Sequence, residues 1–128
     1  MNDLTAEWIA KAEGDYATAG RELRTRRRPN YDAVCFHAQQ TAEKYLKAFL
    51  QENGADFPKT HSLIELLQLV VPLDAGFEWQ RDLLIRLERY AVRYRYPGES
   101  ADLDEARSAF KAAQAVRRFI RQRLAPKE

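Results

Sequence analysis

His37, Gln40, Thr41 and Lys44 recur at offsets of three, four and seven, the spacing that gathers side chains on one face of a helix. Such a face suits an anion or a base edge. Imidazole and carboxamide hydrogen-bond a nucleobase, and an ammonium offers three donors to phosphate. The same residues can instead satisfy one another or a backbone group at a helix contact. The only other histidine, His61, closes Pro58-Lys59-Thr60-His61 just before Ser62-x-x-Glu65, a capping-box spacing. A helix N-terminus presents free N–H groups and a positive dipole end, so a phosphate there would find donors, with Lys59 adding charge. Capping accounts for Thr60 and Ser62 but leaves Lys59 and His61 without a role. Further on, Arg93-Tyr94-Arg95-Tyr96 alternates guanidinium groups with aromatic rings. The first grip phosphate and the second stack on bases. Tyr90 and Tyr94 also stand at a core-packing interval, and arginines near a helix C-terminus complement its dipole without any ligand. Arg24, Arg26, Arg27 and Arg28 crowd a basic loop at about 24–29, which is either simply solvated or in contact with RNA or an acidic partner.

Helices must position these groups, because apolar residues recur at helical rather than alternating spacing. Helix one, about 4–25, carries Trp8, Ala12, Tyr16, Ala19 and Leu23 as one stripe. Helix two, about 31–52, follows Asn30, a good N-cap, and stops at Asn53-Gly54. Its stripe is Val34, Ala38, Ala42, Tyr45 or Leu46, and Phe49, and the alanines permit close approach of a neighbour, so this is the expected central helix. A short third helix, about 62–70, ends before Pro72. The fourth is expected over about 77–95 up to Pro97-Gly98, and the fifth over about 102–123. The predicted class is all-α: an antiparallel up-and-down four-helix bundle with one additional short helix, in a single domain with a short frayed tail at 125–128.

Composition narrows the partners. The chain has 128 residues, 45% of them hydrophobic, enough for one genuine core. A formal net charge of +2 is not that of a generic nucleic-acid binder, so attraction for phosphate must come from local clusters. The single Cys35 excludes an internal disulfide and reads as a small packing residue. With no signal peptide or long apolar span, a cytoplasmic protein away from membranes is expected. Two histidines and one cysteine do not close a zinc site, and no Gly-rich phosphate loop appears, so neither metal nor cofactor is expected. Asp102, Asp104 and Glu105 read as first-turn partners of a helix dipole. Trp8, Phe77 and Trp79 exceed what narrow stripes require and suggest self-association.

Residues 31–61, YDAVCFHAQQTAEKYLKAFLQENGADFPKTH, together with RYRYPG at 93–98, resemble the HEPN family, small all-helical prokaryotic domains known for nucleotide or RNA chemistry. The resemblance extends from Trp8 to about Phe119. It implies a nucleotide-binding or interaction module that forms a homodimer and pairs with a separate minimal nucleotidyltransferase in a toxin–antitoxin-like arrangement. Under it, the nucleotide- or phosphate-binding candidates are His37, Gln40, Lys44, Lys59, His61, Arg93, Tyr94, Arg95 and Tyr96. HEPN ribonucleases are similar to one another in an arginine followed, after about four to six intervening residues, by a histidine. No such pair exists here. Arg28 precedes His37 by eight intervening residues, and no histidine follows Arg93 or Arg95. The domain is therefore expected to be non-catalytic by itself. Two alternatives remain: a metal-independent toxin-like ribonuclease using His37 or His61 with an arginine brought in by the fold or a second chain, and a purely structural oligomerising scaffold.

Overall fold

A computed structural model of the chain describes residues 1–125, so all of the tail expected at 125–128 except Ala125 lies outside the described residues. Among them, all regular structure is helical, and the expected all-α class is the one observed. The α-helices are α1 (Asp3–Arg24), α2 (Tyr31–Glu52), α3 (Leu63–Val70), α4 (Arg81–Glu88) and α5 (Leu103–Leu124), with 3-10 segments at Ala75–Gln80 and Arg89–Ala91. Side-chain oxygens start the helices. Asn2, Asn30, Ser62 and Asp102 accept from the N–H of Thr5, Ala33, Glu65 and Glu105 respectively, each satisfying a donor that has no intrahelical partner. Helix α2 ends at Asn53-Gly54, where Gly54 takes φ 66, a left-handed conformation that suits glycine.

Helix α2 is central, packing against α1, α3, α4 and α5. Helix α1 runs antiparallel to it, since Asn2 meets Gln51 and Glu52 at one end and Asp15 meets His37 and Lys44 near the middle. Helix α5 runs parallel to α2, with Ala101 bound to Asp32 at the start and Arg121 to Tyr45 further along. Ala38 and Ala42 of α2 and Ala109 and Ala113 of α5 are fully buried, and their small side chains allow close backbone approach. The apolar face of α3, Leu63, Leu66, Leu67 and Val70, is also fully buried, each such side chain contributing about 1.5–3 kcal/mol relative to exposure. Gly14 is anomalous. It sits mid-helix in α1, where glycine costs about 1 kcal/mol relative to alanine, yet a Cβ there would meet nothing within 4 Å.

Two expectations need correction. The fourth long helix, expected over 77–95, is instead the eight-residue α4 between two 3-10 segments, and helical structure stops at Ala91. Tertiary contacts override local periodicity here. Tyr90 is buried with its hydroxyl donating to Glu105, Tyr94 stacks on Tyr90 at 5.9 Å, and Val92 leaves the helical region at φ −133. The Arg93–Tyr96 corner is thus a turn lying across the bundle rather than a helix end. Phe77, expected as part of an exposed aromatic excess, is fully buried between Phe49 and Phe119 at 4.7 and 5.0 Å. Trp8 is half-buried, edge-on to Phe57. Trp79, at 85% exposure, stands out in solvent. No helix among the described residues is long and apolar enough to cross a membrane.

Candidate functional site

The turn after Ala91 folds back over the first half of α2 and leaves two adjoining clefts. One, of about 290 Å³, is lined by residues including Asn30, Asp32, Phe36, His37, Tyr94 and Arg95. The second, of about 130 Å³, is lined by Phe36, Gln40, His61, Ala91, Val92 and Arg95. Phe36 and Arg95 are the shared wall, with the guanidinium carbon 5.8 Å from the Phe36 ring centroid, within cation–π range. An exposed arginine flanked by an aromatic face and a histidine on either side can hold a phosphate while a base stacks. Because the two clefts share this wall, they form one groove.

Each histidine is oriented by a carboxylate. His37 Nδ1 lies 2.7 Å from Asp15 Oδ1, and Lys44 Nζ lies 2.5 Å from the other oxygen, Oδ2. A carboxylate accepts, so Nδ1 carries the hydrogen and Nε2 remains available for another partner. His61 Nδ1 stands 3.1 and 3.3 Å from the two oxygens of Glu43, while the ring itself is 77% exposed. Glu43 is the centre of a buried network. It accepts from the amides of Gln39 and Gln40 and pairs at 3.1 Å with Lys47, whose ammonium lies 5.4 Å from the Trp8 ring centroid. Spacing alone placed His37, Gln40, Thr41 and Lys44 on one polar face, but the structure divides them. His37 and Lys44 turn to Asp15 on α1, Gln40 turns to Glu43, and the buried Thr41 hydroxyl donates to the His37 carbonyl.

The groove thus gathers His37, Gln40, His61, Tyr94 and Arg95, and leaves out four other candidates. Lys44 is committed to Asp15. Lys59 is exposed beyond the clefts. Arg93 lies near Glu99 and Glu105 and over the Tyr94 ring. Tyr96 is 71% exposed and lines neither cleft. The anion site expected at the start of α3 is already filled. The carboxylate of Glu88 accepts from the backbone N–H groups of Leu63 and Ile64 and from the Ser62 hydroxyl, taking the donors that a phosphate would have used. Sequence reasoning also passed over Phe36, Asp15, Glu43 and Glu88. Gln39, Glu43 and Lys47 do stand at i, i+4, i+8, and Asp15 falls between the apolar Ala12 and Ala19, a polar residue on an otherwise apolar face.

Burial is the main cause of the raised pKa values of Tyr90 and Tyr94, so both phenols are neutral donors around neutral pH. Arg93 is held above its ordinary value by its electrostatic interaction with Tyr94, with Glu99 and Glu105 adding to it. Cys35, directly behind Phe36 in sequence, is pushed up to about 12 by burial, which removes it from thiolate chemistry. Among the described residues, no three His, Cys, Asp or Glu side chains cluster as a metal site would require.

An all-helical bundle with an aromatic and basic groove across its central helix is the class that fold and site define. The HEPN domain family model matches residues 5–123, and the chain belongs to that family. Its fold is similar to TT1696 from Thermus thermophilus, with a TM-score of 0.81 at 25% identity over 94% of this chain and 98% of that one. An HEPN domain protein from Thermotoga maritima aligns with a TM-score of 0.75 at 24% identity over 92% and 97% of the two chains. ST0689, described as an archaeal HEPN homologue, aligns at 0.69 with 22% identity over 94% and 98%. No curated protein matches the sequence.

Proposed function

We propose that the groove binds a nucleotide, and that the domain acts as a non-catalytic binding module, working as a homodimer beside a separate minimal nucleotidyltransferase in a toxin–antitoxin-like pair. The observation that supports this reading is Arg95 set against the Phe36 ring, with His37 on one side and His61 on the other. Arg95 supplies fixed positive charge and a planar fork for phosphate oxygens. Phe36 offers aromatic surface for a base, and Gln40 and the two imidazoles offer hydrogen bonds to its edge or to ribose. The partner enzyme is proposed from the resemblance of residues 31–61 and 93–98 to the nucleotidyltransferase-associated branch of the family. Calorimetry with ATP and AMP tests the binding claim. The wild-type chain releases heat with at least one of them, and Arg95→Ala weakens that affinity by about tenfold or more, the equivalent of one charge-assisted contact at about 1.4 kcal/mol. Absence of heat with any nucleotide sinks the proposal.

A second reading is supported by the carboxylates behind the two histidines. The chain lacks the family's arginine–histidine spacing, yet the fold carries Arg95 into the groove with His37 and His61. A pair of imidazoles beside an arginine suits metal-independent RNA cleavage. One takes the proton of the 2′-hydroxyl as it attacks phosphorus, the other protonates the departing 5′-oxygen, and the guanidinium stabilises the pentavalent phosphate. Under this reading, expression arrests growth and His37→Ala abolishes the arrest. Equal harmlessness of both versions rejects it.

A further inference from the structure

We propose that the groove is specific for a guanine nucleotide, with Asp32 and Asn30 reading the base and Arg95 holding a single phosphate. This specificity rests on the nucleotide reading above and adds which base the groove takes and how many phosphates. Asp32 and Asn30 line the larger cleft, of about 290 Å³, together with Phe36 and Arg95. Asp32 stands four residues before Phe36 on α2, a rise of about 6 Å, so the carboxylate and the guanidinium over Phe36 border one cleft at successive turns. Each base-reading residue has a structural duty that occupies only part of its polar end. Asp32 Oδ1 accepts from the Ala101 N–H at 2.7 Å and ties the start of α5 to α2, while Oδ2 has no partner among the described residues. Asn30 Oδ1 caps α2 by accepting from the Ala33 N–H at 3.0 Å, which leaves its amide N–H groups without a partner there.

An acceptor-only carboxylate beside a free amide donor selects among bases. A carboxylate has about four lone-pair sites and accepts two parallel N–H bonds, so Oδ1 can serve Ala101 and a ligand together. Guanine sets two donors, N1–H and N2–H, side by side with the acceptor O6. Asp32 takes the two donors, and the Asn30 amide donates to O6. Adenine and cytosine place a ring-nitrogen lone pair next to their amino group, and uracil flanks its one N–H with carbonyls, so each turns an acceptor toward the carboxylate. The phosphate count follows from the cations. Lys44 is paired with Asp15 at 2.5 Å, Lys47 with Glu43 at 3.1 Å, and Arg93 lies within 4.0 Å of both Glu99 and Glu105. Arg95 is the groove's one cation without an acidic partner among the described residues, which matches one phosphate group.

Calorimetry on the full chain with GMP, IMP, AMP, xanthosine monophosphate and GTP tests the assignment. GMP binds about tenfold or more tighter than AMP and than IMP, which lacks only the N2 amino group, and GTP gains less than about threefold over GMP. Asp32→Asn keeps an oxygen for Ala101 but turns a donor to the base, so it weakens GMP and binds xanthosine monophosphate, which carries a carbonyl where guanine has the amino group, more tightly than GMP. Asn30→Ser keeps the helix cap and lowers GMP affinity without inverting any preference. Circular dichroism verifies that both variants fold, and the wild-type series decides the matter if Asp32→Asn does not. Equal affinity for GMP, IMP and AMP, or an equal loss for every nucleotide in Asp32→Asn, overturns the base assignment and leaves nucleotide binding standing. GTP binding about tenfold or more tighter than GMP overturns the single phosphate, and absence of heat with all five overturns this proposal and the nucleotide reading together.

Discussion

Replacing Glu43 by glutamine keeps the shape of the side chain and removes one charge from the most buried polar network in the protein. The Glu43 and Lys47 side chains are 3% and 7% exposed, so solvent screening, which makes surface pairs nearly worthless, does not apply. In Glu43→Gln the Lys47 ammonium stays buried without a counter-charge, a situation that costs about 3–5 kcal/mol. The Trp8 face offsets part of this, up to about 2 kcal/mol when desolvated. Against that, the new amide sets donors toward donors, since Gln39, Gln40 and His61 all direct hydrogens at the carboxylate. The expected loss is therefore about 3 kcal/mol, out of a typical stability of about 5–15 kcal/mol for a domain of this kind. Urea unfolding followed by circular dichroism measures it, as a midpoint roughly 2 M lower. Lys47→Met alone is milder, about 1–2 kcal/mol, because Glu43 keeps its other donors. The double variant loses less than the two singles together, with a coupling of about 1 kcal/mol or more. Losses under about 0.5 kcal/mol that simply add would show that the network carries no net stability.

Three other outcomes follow from the same structure. Cys35, fully buried and with its thiol raised to about 12, stays unreactive toward a thiol reagent in the native protein and reacts fully in denaturant; rapid native labelling would contradict its placement. Glu13 is held below its ordinary value of 4.5, chiefly by its hydrogen bonds to Arg117, so its stabilising contribution is complete above that value and is lost as pH falls through its lower folded value. Arg117→Gln should flatten this acid limb in plots of urea midpoint against pH, and an unchanged limb would show the pair to be irrelevant. Gly76→Ala places a Cβ 2.7 Å from Arg123 Nη2 and 3.0 Å from Asp74 Oδ1, displacing the guanidinium from Asp74 and from the Phe119 ring. A lower melting temperature corresponding to about 1 kcal/mol is expected, and equal melting would mean that Arg123 yields at no cost.

Helix existence, helix caps and the centrality of α2 were readable because periodicity and capping act locally. Asn30, Ser62 and Asp102 cap as their residue types suggest. What escaped was tertiary. Tyr90 and Tyr94 at i, i+4 looked like a helix running to about 95, but the buried bond from Tyr90 to Glu105 and the crossing of Arg95 over Phe36 draw the chain out of helical geometry. Phosphate at the start of α3 was reasonable from one helix alone, and the competing carboxylate comes from Glu88 on a helix 24 or 25 residues away in sequence. The candidate site shows the same division. His37, His61 and Arg95 drew notice by residue type, whereas Phe36, Asp15 and Glu43 acquire meaning only when three separate segments meet.

The proposed function requires a nucleotide to sit in the groove between α2 and the turn after Ala91. Titration of the isotopically labelled full chain with AMP and ATP, followed by amide and imidazole resonances, tests it most directly. Saturable shifts are expected at Phe36, His37, Gln40, His61, Tyr94 and Arg95, with Trp79 and the C-terminal half of α5 unmoved and with the shifts abolished in Arg95→Ala. Unchanged spectra at millimolar nucleotide, or shifts centred away from that groove, would contradict it.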